Sequence, residues 1–127
     1  MAGFSDYLEN KVVGHVFGGS AYTAPSTLYV ALYTSAPSDT GGGTEVSGGA
    51  YVRQTAAFTV TADTASNTSA IEYPTATADY GTVVAVGVFD ASSSGNLLAY
   101  GNLTTSKTVS NGDVFRFNVG AIDITVA

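Results

Sequence analysis

The sequence predicts a mainly-β fold, an antiparallel β-sandwich of jelly-roll type that carries one N-terminal α-helix. Only one segment has helical periodicity, most of the rest alternates with a period of two, and turn residues separate the alternating segments. The 127 residues suffice for one hydrophobic core and leave no room for a second. We therefore expect a single domain over residues 1–127, with a helix at residues 4–17 and the sandwich at residues 26–127.

Residues 4–17 form the predicted helix, with the sequence FSDYLENKVVGHVF. Apolar side chains recur at every fourth position and would form a stripe along one face: Phe4, Leu8, Val12 and Val16. Ser5 or Asp6 is suited to cap the N-terminal end, and the Gly-Gly pair that follows is suited to end the helix. Because Gly14 costs about 1 kcal/mol relative to alanine, we expect the helix to be stable only where its apolar face docks.

Strands are predicted at residues 27–34, 51–61, 70–73, 81–90, 97–101, 104–109, 114–119 and 121–126. The strand at 27–34 is apolar on both faces, which predicts a central position in the sheet. The strand at 51–61 would direct four side chains to the core: Val52, Ala56, Phe58 and Val60. Residues 63–69 are polar and are expected to form a turn. The loops at 36–49 and 91–96, rich in glycine or serine, are expected to be exposed.

Charge and cysteine content exclude several classes of function. Charged residues make up 11% of the chain and the formal net charge is −6, whereas nucleic acids and anionic membranes are bound by clustered cations. We therefore expect no nucleic-acid partner and no membrane partner. Cysteine is absent, which excludes disulfides and thiolate metal sites. No apolar stretch is long enough for a membrane span and the N-terminal region does not resemble a signal peptide, so we expect synthesis in a cytoplasm.

Candidate catalytic chemistry is sparse. His15 is the only histidine, and its position in the last helical turn favours interaction with the helix dipole or an interface contact over catalysis. Gly41-Gly42-Gly43 is followed by no Lys-Ser/Thr pair, which favours a flexible loop over a phosphate site. The carboxylates that a glycan hydrolase would need lie at turns and strand ends: Asp39, Glu45, Asp63, Glu72, Asp79 and Asp90. We expect a protein that is not an enzyme and has no catalytic residues, cofactor or metal ion, with a cation shared between loops as an alternative.

The arginines and tyrosines have structural interpretations. Arg53 and Arg116 lie in or beside predicted strands, where an unpaired charge is costly, so each is expected to pair with an acidic residue of the fold or of a neighbouring subunit. The eight tyrosines suit either a core with wet edges or a sugar-binding surface. Since Trp is absent and Tyr29 and Tyr33 lie in an apolar strand, core or subunit packing is favoured.

Several segments of the chain resemble small virion proteins of tailed bacteriophages and prophages. The most specific lies at the N-terminus, where the sequence MAGFSDYLEN of residues 1–10 is followed by HVFGG at residues 15–19. Further matching segments extend over the rest of the chain: residues 25–34, residues 45–49 with Tyr51 and Arg53, residues 81–83, residues 89–91 with Gly95 and Asn96, and residues 107–109. Tyr80 stands where the resemblance leads us to expect Trp, a change that keeps an aromatic side chain.

The resemblance implies a virion component that is synthesised in the cytoplasm of the host bacterium, and it supplies no catalytic residues. Similar short-tailed phages of cyanobacteria carry trimeric β-sandwich cement proteins on the capsid, so our main hypothesis is a capsid cement or decoration protein. It would form a homotrimer on the capsid surface, pack on the major capsid protein or other virion subunits, and stabilise the head. The alternative is a tail-fibre or tail-tip module that contributes to host-surface binding, with a host glycan as its ligand.

The helix and the chain just after it are predicted to contact other virion subunits. The predicted interface consists of six residues: Phe4, Tyr7, Leu8, Lys11, His15 and Tyr22. Because the helix is interpreted as an attachment to the sandwich, deletion of residues 1–19 is expected to abolish attachment to the head while the sandwich still folds.

Overall fold

The computed structural model describes residues 2–126 and is mainly β with one helix. Its elements, in chain order, are β1 Ala2–Phe4, α1 Asp6–Phe17, β2 Leu28–Ser35, β3 Thr44–Glu45, β4 Gln54–Ala56, β5 Phe58–Thr61, β6 Thr64–Asn67, β7 Ile71–Glu72, β8 Gly81–Phe89, β9 Leu97–Val109, β10 Arg116–Phe117 and β11 Asp123–Thr125. Within residues 2–126, no helix has the length and apolar character needed to cross a bilayer.

The strands form one large sheet and one small sheet. The large sheet has nine strands in the order β3-β2-β8-β9-β1-β11-β6-β5, with β4 also paired to β2, and the small sheet pairs β10 with β7. The main core contains Val30 and Val86 from the large sheet together with Ile71 and Phe117 from the small one. This sandwich-like, mainly-β arrangement confirms the predicted fold class, while the jelly-roll connectivity stays a prediction.

Strand β2 is buried on both of its faces, as its sequence predicts. Val30 and Leu32 belong to the main core, whereas Ala31 and Tyr33 belong to a second apolar cluster with Ala85 and Phe89. Strand β2 pairs with β8 on one side and with β3 and β4 on the other, so its backbone is hydrogen-bonded to neighbouring strands along both edges. The central position predicted for this strand is confirmed.

The helix begins at Asp6, so the predicted start at residue 4 is wrong. Residues 2–4 are extended instead and lie between two strands of the large sheet, antiparallel to β9 and parallel to β11. Ser5 caps the helix: its hydroxyl accepts the Leu8 N–H at 3.3 Å and donates to the Leu97 carbonyl at 2.5 Å. The N-terminal segment is therefore part of the sheet, and we no longer expect the sandwich to fold after deletion of residues 1–19.

The strand predicted at residues 51–61 is divided in two, with β4 paired to β2 and β5 paired to β6. Val52 and Val60 are exposed, the latter by 72%, so their predicted place in the core is wrong. Val60 is exposed because β5 lies at the edge of the sheet, where an outward side chain has no neighbour to cover it, and Val52 lies in the loop before β4, outside any strand. The polar residues 63–69, predicted as a turn, contain strand β6, and the strands predicted at 97–101 and 104–109 are the single strand β9.

Candidate functional site

The C-terminal half of α1 is a surface of apolar side chains that face water. None of the helical residues is buried, and Phe17 is 84% exposed. Exposed apolar residues of the helix adjoin an exposed valine from the end of the described chain, and we call this set the apolar helix surface: Val12, Val13, Val16, Phe17 and Val126. Large contiguous patches of exposed apolar side chains are typical of interaction sites.

The six predicted interface residues divide into two groups in the structure. Phe4 lies in β1 and packs against the main core, and Leu8 is half-buried. The other four form two pairs: the Lys11 ammonium lies 5.6 Å from the centre of the Tyr7 ring, and the Tyr22 N–H, beyond the end of the helix, donates to His15 Nδ1 at 3.1 Å. Burial raises the pKa of Tyr22, and Tyr7 and Asp90 raise it further. The assignment of all six to an assembly interface stays a prediction.

A cleft of about 410 Å³ separates the start of α1 from two loops. We call it the α1 cleft, and its lining consists of Asp6, Tyr7, Tyr33, Asp39, Thr40, Gly41, Gly42, Phe89, Gly95, Asn96 and Leu97. The first loop is held against the helix because the Asp6 N–H donates to the Asp39 carbonyl at 3.0 Å. The volume lies within the range of roughly 300–1,000 Å³ that is typical of small-molecule sites.

The floor of the α1 cleft is apolar and rests on a glycine. A β-carbon at Gly87 would lie 2.9 Å from both Tyr33 Cε1 and Leu97 Cδ1, and 3.3 Å from Phe89 Cε1. The missing side chain therefore allows these three side chains to lie close over strand β8. An isolated glycine in an apolar strand is a sequence signal for such a close approach.

The rim of the α1 cleft is polar and acidic. The Tyr100 hydroxyl donates to an oxygen of the Asp39 carboxylate. The second loop is closed by Asp90, whose carboxylate accepts the Asn96 N–H at 2.7 Å and the Asn96 side-chain amide at 3.0 Å. Asp6 and Asp39 contribute carboxylates to the lining, and none of the lining residues within the described range is Lys, Arg or His.

Arg53 connects the loop before β4 to the loop after β8. Its guanidinium donates to both oxygens of Glu45, at 2.8 and 2.9 Å, and to the carbonyls of Ala91 and Ser94. It also lies 3.7 Å from the centre of the Phe89 ring. The Tyr51 hydroxyl donates to the same Glu45 carboxylate at 2.7 Å. We call the set of Arg53, Glu45 and Tyr51 the Arg53 latch, because it holds the loop that follows β8.

The contacts of the Arg53 latch change the pKa of the Glu45 carboxyl group. Burial opposes ionisation of Glu45, but the hydrogen bonds from Arg53 and Tyr51 outweigh that effect and lower the pKa of the carboxyl below its ordinary value of 4.5. The prediction that Arg53 pairs with an acidic residue is confirmed, as is the prediction for Arg116, which lies 3.5 Å from Glu72 on the surface.

The remaining carboxylates that were weighed as hydrolase candidates make local contacts. Asp63 accepts from the Thr64 hydroxyl and Asp79 accepts from the Asn111 N–H. Among residues 2–126, no group of three or more His, Asp or Glu side chains is placed to hold a metal ion.

The comparisons with known proteins place the chain in a phage context. The family model described as podophage GP4 fiber I protein gp80 matches residues 3–125. No curated protein matches the chain. The family match confirms a virion structural protein, as the resemblance implied, and it favours the fibre alternative over the capsid-cement hypothesis.

Proposed function

We propose that this chain, which belongs to the podophage GP4 fiber I protein gp80 family, is a non-enzymatic fibre subunit. In this proposal it assembles with copies of itself through the apolar helix surface. The family match supports the virion and fibre parts of this proposal. Four of the candidate carboxylates are already engaged in contacts within the fold, which supports a structural role for them: Glu45, Asp63, Asp79 and Asp90.

The exposure of Phe17 and its neighbours is the observation on which the assembly mechanism rests. Burying a valine or phenylalanine side chain contributes about 1.5–3 kcal/mol, so covering this surface supplies much of what a stable contact needs. The same helix carries Glu9 and Lys11, so a neighbouring copy in a closed ring can place acidic groups opposite basic ones. A homotrimer is the expected state, and the major capsid protein or another virion subunit is the competing occupant.

Replacing Phe17 with aspartate is expected to weaken self-association by at least about tenfold, because the variant would bury a carboxylate in an apolar contact. Light scattering over a concentration series measures the mass of each variant. The matched control is Val60→Asp, which makes the same kind of change at a similarly exposed valine on β5.

Three outcomes would count against the proposal or a part of it. A wild-type chain that stays monomeric at high concentration would refute self-association. If, in addition, Phe17→Asp entered virions at the wild-type level, the apolar helix surface would have no role in assembly. A copy number per virion equal to that of the major capsid protein would favour the cement hypothesis instead.

A further inference from the structure

We infer that the α1 cleft is a binding site for a neutral saccharide unit, with Tyr33 and Phe89 beneath the sugar ring and the polar rim in contact with its hydroxyl groups. The inference goes beyond the proposed assembly role, because the cleft is formed by the first turn of α1 and two loops, whereas assembly uses the last two turns.

The hydroxyl of Tyr33 is the strongest indication of a ligand. Tyr33 is only 4% exposed, yet its hydroxyl makes no hydrogen bond with any residue in the range 2–126. None of the fully buried polar side-chain atoms in that range lacks a partner, so this hydroxyl must reach solvent, and Tyr33 lines the α1 cleft. A nearly buried tyrosine normally satisfies its hydroxyl within the fold. Here the partner must come from the cleft, and a ligand hydroxyl that displaces solvent would supply it.

The Tyr33 hydroxyl keeps its proton and can donate it in a hydrogen bond. Burial and, to a smaller extent, the nearby Glu45 carboxylate raise the pKa of Tyr33 to about 12, while Arg53 acts in the opposite direction. Neutral hydroxyl groups both donate and accept, so this side chain matches a ligand that is itself rich in hydroxyls.

The floor of the cleft provides the apolar part of the site. Tyr33, Phe89 and Leu97 lie close over Gly87, and their positions are fixed by the sheet and by the Arg53 guanidinium beneath the Phe89 ring. A rigid apolar floor with a few polar groups at its edge is the usual design of a small-molecule site. A sugar ring, with C–H groups on its face and hydroxyls on its perimeter, fits both parts.

The charge of the rim selects a neutral ligand over an anionic one. Asp6 and Asp39 contribute carboxylates, which accept hydrogen bonds from sugar hydroxyls and repel acidic sugars and phosphates. The nearest guanidinium, that of Arg53, is already paired with Glu45 and gives no compensating positive charge.

The test is a titration of the isotope-labelled protein with methyl glycosides of glucose, galactose and mannose and with N-acetylglucosamine, followed by amide NMR shifts. We expect at least one of these sugars to shift the amides of Gly41, Gly42, Gly95 and Asn96. Glucuronate, which carries a negative charge on a similar ring, is expected to shift none of them.

Tyr33→Phe removes only the hydroxyl and is expected to weaken the shift-detected affinity by about tenfold. Because that hydroxyl has no partner within the described chain, the variant should keep the wild-type melting temperature. The matched control is Tyr29→Phe, which removes a hydroxyl from the same face of β2 outside the cleft lining and should bind as the wild type does.

The titration is repeated with Phe17→Asp, so that loss of assembly and loss of sugar binding are read separately. The inference is overturned if none of the four neutral sugars shifts the cleft amides, if glucuronate binds equally well, or if Tyr33→Phe binds as tightly as Tyr29→Phe. It is also overturned if sugars bind only to the dissociated protein, because a neighbouring copy would then occupy the cleft.

Discussion

Replacing Asn67 with alanine is expected to lower the free energy of unfolding by about 3–5 kcal/mol, because several buried backbone groups would lose their partner at once. Asn67 is 2% exposed. Its side-chain oxygen accepts the Ile122 N–H at 2.9 Å, and its amide nitrogen donates to the carbonyls of Ser69 and Asn118, both at 2.9 Å. The side chain thus hydrogen-bonds three backbone groups, two in the segment between β10 and β11 and one just after β6.

Urea denaturation measures this effect, and the chain supplies its own control. Asn118→Ala makes the same substitution at a residue whose side chain is exposed. Asn118 contacts Asn67 through its backbone carbonyl, which the substitution leaves in place. We expect that variant to lie within about 0.5 kcal/mol of the wild type. Equal costs for the two variants would show that the buried hydrogen bonds of Asn67 contribute nothing specific.

Replacing Arg53 with alanine is expected to cost about 3 kcal/mol at neutral pH, because it leaves the Glu45 carboxylate half-buried without its cation. The arginine side chain is 7% exposed, so the pair is shielded from screening by solvent on that side. The change also removes the donor to Ala91 and Ser94 and uncovers the Phe89 ring. The control is Arg116→Ala, which breaks an exposed pair at 3.5 Å and should change stability by no more than about 1 kcal/mol.

The Arg53 latch also predicts a pH dependence. The pKa of Glu45 is lowered in the folded protein, so its contribution to stability is complete above the ordinary value of 4.5 and disappears as the pH falls through the lowered value. The difference in unfolding free energy between wild type and Arg53→Ala should therefore shrink on acidification below pH 4.5. A difference that stays constant from neutral to acidic pH would contradict the assignment of the latch as a charge-dependent contact.

The sequence predicted the features that depend on strong local patterns. The apolar run at Val30 to Leu32 indicated a central strand, and the cost of burying an unpaired charge indicated a partner for Arg53. Strand β1 escaped prediction because three residues carry no measurable periodicity, and its partners in β9 and β11 lie at least 95 residues further along the chain. Strand β6 and the burial of Asn67 escaped because their residue types are common in turns and at surfaces.

The candidate cleft could be anticipated only in part. The tyrosines suggested either packing or a sugar-binding surface. Tyr33 packs in an apolar cluster and also lines the α1 cleft. The sequence could not show that the first turn of α1 lies beside residues 39–42 and 95–97. That arrangement depends on the Ser5 cap of the helix, which is hydrogen-bonded to β9.

Strand β1 has a consequence for the order of events during folding. In the large sheet, β3, β2, β8 and β9 lie on one side of it, and β11, β6 and β5 lie on the other. Residues 2–4 therefore join two groups of strands, and they can do so only after a ribosome has delivered residues near 124. Forming such distant pairings costs loop-closure entropy before the contacts that stabilise them are made. The joining of the two groups is accordingly a late and slow step, and until it occurs the edges of β9 and β11 stay open to other chains.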